Sequence, residues 1–195
     1  MKRFIFTLTI LISLSASGQS DNPQIPVDSF THKITYTGVV NVDSSLSKRE
    51  LYARAREWFD KAYTSPTTVI QKEDKENYEI VGKALMQVYC KSIGSDRECG
   101  FVNYTLYLYF KDGRYKYTVT DFFHSGQTVS TSNVIPSYGP CENWIDYNGQ
   151  HPMMSKKAAQ KISNYFLSQL DKNTLKLITD LQTTIKNRAS TKNNW

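Results

Sequence analysis

Three cysteines, three histidines and no familiar catalytic signature leave this 195-residue chain few means for covalent chemistry. There is no GxSxG elbow, no HExxH pair, no glycine-rich phosphate loop and no CxxC pair, which removes the sequence-evident serine hydrolases, zincins, nucleotide-binding loops and structural zinc sites. Nor is there a block of positive charge. The 24 lysines and arginines are interspersed with 18 acidic residues, as in Lys72-Glu73-Asp74-Lys75-Glu76, so no segment resembles a nucleic-acid arm and phosphate-tracking rows are missing. No apolar run is long enough to cross a bilayer as a helix, which takes about 20 residues.

One shorter apolar run does stand out. Lys2 and Arg3 precede the stretch 4–14, and the small residues Ser15-Ala16-Ser17-Gly18 follow, the pattern of a secretory signal peptide over residues 1–18 with cleavage before Gln19. With no cysteine at that junction, a lipid-anchored N-terminus is not expected. The expected location is outside the cytoplasm, periplasmic or secreted. Without Lys2 and Arg3 the formal charge falls from +6 to +4. About 177 residues then remain, enough for one domain with a sizeable core.

Within that mature chain, residues 19–30 read as an extended lead-in and 31–186 as a single α+β domain. Ile34, Tyr36, Val40 and Val42 alternate with polar residues over 33–42, the period of a half-buried strand. The period then changes. Ser47 and Glu50 form a capping box, and Leu51, Ala55, Trp58, Phe59 and Ala62 share one helical face. Glu50 with Arg54 and Glu57 with Lys61 add a few tenths of a kcal/mol each on the wet side. After Ser65-Pro66, the β-branched stretch 67–72 predicts a second strand, and 78–90 a third, on which Gly82 and Ala84 allow a close helix approach. Val102, Tyr104, Leu106, Leu108 and Phe110 alternate with Asn103, Thr105, Tyr107 and Tyr109. Asp112-Gly113 marks a tight hairpin into 114–123. Residues 124–154 show no period and read as one long loop, of the kind that is usually functional or loose. A second amphipathic helix follows from 155 to 186, with a kink or break expected at 171–174, where Asp, Asn and Thr are weak helix formers; 187–195 is a frayed tail.

Strand, helix, four strands, helix predicts a single five-stranded antiparallel sheet with two helices on one face. The other face stays wet and presents Thr35, Thr37, Lys83, Gln87, Asn103, Thr105, Tyr107, Tyr109, Lys116, Thr118 and Thr120. The helix Lys48-Arg49-Glu50-Leu51-Tyr52-Ala53-Arg54-Ala55-Arg56-Glu57-Trp58-Phe59, the segment Val69-Ile70-Gln71-Lys72-Glu73-Asp74, and the hairpin Lys111-Asp112-Gly113-Arg114-Tyr115-Lys116-Tyr117 with Thr120-Asp121-Phe122 resemble the domain of unknown function 4468, over roughly 33–123. The resemblance implies a fold similar to the TATA-binding protein and a place in the envelope of Gram-negative bacteria. It implies no activity and no catalytic residues.

The residues themselves favour binding over catalysis. Tyr107, Tyr109 and Tyr89 beside Lys83 and Lys116 give the open sheet a stacking and hydrogen-bonding surface, while Tyr138, Trp144 and Tyr147 place amphipathic rings on the long loop. A Thr- and Lys-rich outer face is also what any one-sided antiparallel sheet carries. The expected partner is an envelope protein, a peptide or a glycan; nucleic acid, metal and cofactor are not expected. Cys90 and Cys99 flank a polar connection and are placed to form a disulfide across it, with Cys141 then either a small buried hydrophobe or the partner of one of them. Two further readings remain. Cys141, Asp146 and His151 share the long loop and could form a cysteine-dependent hydrolase, and the long last helix could pair two copies. His32, His124 and His151 are scattered and read as surface or capping residues rather than ligands.

Overall fold

The computed structural model describes residues 23–91, 96–126, 138–145 and 155–187. Alternation of apolar and polar side chains produces six strands: β1 (Tyr36–Asn41), β2 (Ile70–Asp74), β3 (Glu79–Lys91), β4 (Asp96–Lys111), β5 (Arg114–Ser125) and β6 (Tyr138–Pro140). They form one antiparallel sheet in the order β1-β5-β4-β3-β2, with β6 paired to β5. The β4–β5 hairpin turns at Gly113, whose φ of 69° suits glycine. A Cβ there would stand 3.2 Å from Ser44 Cα.

Three helices accompany the sheet: α1 (Lys48–Ala62), the short α2 (Pro66–Val69) and α3 (Lys156–Lys186). Ser47 caps α1 by accepting from the Glu50 N–H at 3.2 Å, and the Lys48 N–H reaches Asp112 Oδ1 at 2.7 Å, which ties the helix start to the β4–β5 turn. Leu51, Ala55, Trp58 and Phe59 of α1 and Phe166, Leu170, Ile178, Leu181 and Ile185 of α3 are buried with Ile80, Leu106, Leu108, Phe110 and Val119 of the sheet. The helices are joined by polar contacts as well. Trp58 Nε1 donates to Asp180 Oδ2 at 2.7 Å, and Arg54 Nη1 donates to the Ile185 carbonyl at 2.9 Å. Gly82 is the contact point between α1 and β3: a Cβ there would lie 2.7 Å from the Phe59 ring.

The α+β class and the one-sided helix layer match expectation, and four details differ. The sheet has a sixth, three-residue strand inside the segment read as a bare loop, followed by a 3-10 turn at Cys141–Trp144. Residues 66–69 are helical rather than extended, because Pro66 sits at the first turn of α2 where its missing N–H costs nothing. Third, α3 runs without a break through 171–174, since the side chains that weaken helices are used there. Asp171 Oδ1 accepts from Tyr36 Oη at 2.8 Å, Asn173 Nδ2 donates to the Gln87 carbonyl at 3.2 Å, and Thr174 Oγ1 donates to the Leu170 carbonyl at 2.8 Å. Finally, His124 is buried. Asp121 adopts a left-handed φ of 57° at the irregularity opposite Asn103 and Thr105, and the extra residue turns both Phe122 and His124 into the core. The His124 ring nitrogen Nε2 lies 2.8 Å from the Cys99 carbonyl.

The lead-in is tied to β1. Val27 bridges Ile34, and Asp28 Oδ1 accepts from the Phe30 and Thr31 N–H groups at 3.1 and 2.8 Å. Those backbone donors hold the Asp28 carboxyl below its usual range. Among the described residues no helix is long and apolar enough to cross a membrane. The proposed leader, 1–18, lies outside them.

Candidate functional site: the open face of the sheet

The strand register defines the surface opposite the helices. One row crosses it as Thr37, Thr118, Tyr107, Val81 and Lys72, and the next as Val39, Lys116, Tyr109, Glu79 and Asp74. Toward the other end lie Leu85, Asn103 and Phe123, then Gln87, Phe101, Ser125 and Tyr138. The β1 side of this face is a threonine ladder. Thr35 and Thr120 hydroxyls stand 2.9 Å apart, those of Thr37 and Thr118 3.0 Å apart, and Thr120 also donates to the Ile34 carbonyl at 3.1 Å. These hydroxyls satisfy one another and the strand edge, so they form structure more than an empty site.

Charges on the face are partly neutralised. Lys33 Nζ meets Asp121 Oδ1 at 2.5 Å and Lys72 Nζ meets Glu79 Oε2 at 2.6 Å. In both lysines the hydrogen bond to the carboxylate raises the ammonium pKa. Burial, then the Glu79 charge, raises the Tyr109 phenol pKa. Among the described residues Lys83 and Lys116 are exposed and belong to no ion pair.

Of the residues singled out in the sequence, the structure brings six onto this one face, the exposed Tyr89 among them. Tyr109, Lys83 and Lys116 are exposed, Tyr107 is half-buried between Thr118 and Val81, and Tyr138 stands edge-on to Phe123 at 4.9 Å. Trp144 is not among them. Its ring is 1 % exposed and stacks on Phe166 at 4.1 Å with a 12° interplanar angle, so it belongs to the core under α3 rather than to a contact loop. Its carbonyl accepts from the buried Ser163 hydroxyl. Thr105, expected in the open, is buried, flanked across the strands by Lys83 and Thr120. Tyr147 lies outside the described residues.

The cysteines separate. Cys99 is disulfide-bonded, while the Cys90 side chain lies outside the described ones. Cys141 is free and fully buried, and burial, then the Glu142 charge, pushes its thiol pKa well above the ordinary range. A nucleophilic cysteine needs access and a stabilised thiolate, and this one has neither. His151 and Asp146 lie outside the described residues. Glu142 Oε1 instead accepts from the Ile34 N–H at 2.7 Å, pinning the 3-10 turn to the strand end. Among the described residues no group of three or more His, Cys, Asp or Glu is placed to hold a metal ion.

Sequence reasoning passed over the apolar members of the face. Val39, Leu85 and Phe101 are exposed beside Tyr89, Tyr109 and Tyr138. Their signal was present: each occupies a wet-side position of the two-residue period, where an aliphatic or aromatic side chain has no core to enter.

Comparison with known proteins supports the architecture. A crystal structure of a DUF4468 family protein from Bacteroides ovatus is similar to this chain with a TM-score of 0.60 at 14% identity, covering 85% of this chain and 92% of that one. A TBP-like protein from Parabacteroides distasonis is similar with a TM-score of 0.55 at 15% identity, covering 81% and 97% respectively. At these identities the likeness is one of fold. No curated protein matches the sequence. Residues 36–125, the span from β1 through β5, match the family described as a domain of unknown function (DUF4468) with TBP-like fold. Over residues 36–125 the chain therefore matches the DUF4468 family of TBP-like fold, and β6 and α3 lie beyond the matched span.

Proposed function

We propose that this protein is an exported, non-enzymatic binding module of the cell envelope whose partner, a protein or peptide segment, lies on the open sheet face. One observation carries the reading. Of the nine large hydrophobic side chains exposed among the described residues, six (Val39, Leu85, Tyr89, Phe101, Tyr109 and Tyr138) project from that face. Apolar surface left in water on one side of a sheet marks an interaction surface more often than an accident of composition. Aliphatic Val39 and Leu85 among the rings favour a protein partner over a glycan, which would stack on flat aromatic faces. Export rests on the leader-like residues 1–18.

Photo-crosslinking residues placed singly at Phe101, Tyr109 and, as a control, Leu175 on α3 test the site in intact cells. Adducts at 101 and 109 and none at 175 are expected. Adducts at 175 alone, or none at all, remove the open face from consideration. Recovery of a periplasmic or secreted form beginning at Gln19 tests export.

A further inference from the structure

The sheet ends on its β2 side in a step. β3 is thirteen residues long, but β2 pairs only with Glu79 to Gly82. Beyond Gly82 the outer edge of β3 faces no strand among the described residues. Two hydrogen bonds set the direction of its backbone groups. The Phe110 N–H donates to the Tyr78 carbonyl, so even-numbered residues of β3 bond to β4, and Asn173 Nδ2 donates to the Gln87 carbonyl from the opposite side, so odd-numbered residues point outward. Between the end of β2 and that asparagine, the N–H and C=O of Leu85 face the edge, with Lys83 and Gln87 flanking. A cavity of about 720 Å³ opens at the same place, between Tyr63, Ser65 and Val69 on the helix side and Lys83, Ala84 and Leu85 on the strand.

We propose that this edge accepts an extended peptide segment as an additional antiparallel strand. Main-chain bonds to Leu85 supply the pairing, and alternate side chains supply selectivity. The residue opposite Ala84 enters the cavity, whose Tyr63, Val69 and Ala84 walls suit an apolar or aromatic side chain. The residue opposite Leu85 lies on its exposed isobutyl group. The residue opposite Lys83 is acidic, because Lys33 and Lys72 are engaged by carboxylates while Lys83 belongs to no ion pair among the described residues. A second copy fits less well. Two β3 edges paired symmetrically about Leu85 would set Val88 of one copy against Gly82 of the other, a place Ile70 already holds. This mode shares Leu85 and Lys83 with the open face but is tested apart from that reading, since its pairing comes from backbone groups at the sheet margin and not from the side chains at 101 and 109.

The test uses the mature protein and a synthetic peptide, acetyl-Leu-Phe-Glu-amide, which ends short of the Gln87 carbonyl held by Asn173, followed by amide NMR. Saturable shifts of the Lys83, Leu85 and Gln87 amides, with slowed exchange at Leu85, are expected. N-methylating the peptide amide that faces Leu85 should weaken binding about tenfold or more, whereas methylating the next amide should not. Lys83→Glu should weaken it further and restore affinity for a peptide ending in lysine. Equal binding of both methylated peptides, or no shift at millimolar peptide, overturns the proposal. Leu85 protection that rises with protein concentration alone assigns the edge to a second copy and overturns it too. Crosslinking at 101 and 109 is unaffected by any of these outcomes.

Discussion

Strand β4 shows the two faces of this molecule within one stretch of chain. Tyr104, Leu106, Leu108 and Phe110 are buried under α1 and α3, while Asn103, Tyr107 and Tyr109 between them face away. Aromatic residues occur on both sides, so aromatic content alone does not separate them. What differs is whether the ring is shut away from water; on the covered side the polar tips that have partners have buried ones, and the buried Tyr115 hydroxyl has none. On the covered side Tyr104 and Tyr63 hydroxyls stand 2.8 Å apart, and Tyr36 donates to Asp171. On the open side Tyr109 sits beside Lys116 and Glu79 in register, in water. The covered face therefore determines stability and the open face is free to determine contact.

The comparison breaks most readily at Trp144, which its sequence context assigns to the contact surface and its burial to the core. Replacing it with alanine removes the stack on Phe166 and leaves a cavity, an expected loss of about 3–5 kcal/mol in denaturant unfolding. A loss below about 0.5 kcal/mol would return Trp144 to the surface. Gly82→Ala comes next. The added methyl would stand 2.7 Å from the Phe59 ring, which is fully buried and cannot swing away, so about 1–3 kcal/mol is expected from the same measurement.

How far these placements were legible follows from the range of the interactions that fix them. Alternation along β4 and the Ser47 cap of α1 are local, and both read directly from sequence. The fate of Trp144 depends on Phe166, twenty-two residues on, and a four-residue 3-10 turn has no period to betray it. The inward turn of His124 depends on one extra residue at Asp121. A slip of one reverses every side chain after it, and with 124–154 read as an aperiodic loop there was no pattern to place the histidine inside. At 171–174 helix propensity was outweighed by tertiary bonds to Tyr36 and Gln87. For the site, Lys83, Lys116, Tyr107 and Tyr109 came from the same alternation, whereas the free edge of β3 did not, because where β2 stops is a property of pairing.

The covered face also makes stability depend on pH at the alkaline end. Burial raises the pKa of the Cys141 thiol and of the Tyr36, Tyr63, Tyr104 and Tyr115 phenols. These groups stay protonated in the folded chain while their unfolded counterparts ionise. Stability is then complete below about pH 8 and falls as pH rises, with a slope of up to about 1.4 kcal/mol per pH unit for each group ionised only in the unfolded state. Chemical denaturation at pH 8, 9.5 and 10.5 should show this decline. Cys141→Ala should delay its onset, since the thiol is the first of these groups to ionise when unfolded.

The smallest effect is the most informative about the open face. Leu108 and Tyr109 are adjacent, yet one is fully buried and the other is 42 % exposed. Tyr109→Ala should change unfolding free energy by no more than about 0.5 kcal/mol, against about 2–5 kcal/mol for Leu108→Ala. If the ring of Tyr109 is held for contact, its loss should leave the unfolding curve nearly in place and still abolish the adduct formed by a crosslinker at Lys116, its cross-strand partner on β5. A stability loss approaching that of Leu108→Ala would mean that Tyr109 supports the sheet itself, through its neighbours Glu79 and Lys116. The wet face would then be a second structural layer, with its polar and aromatic side chains accounted for by packing alone.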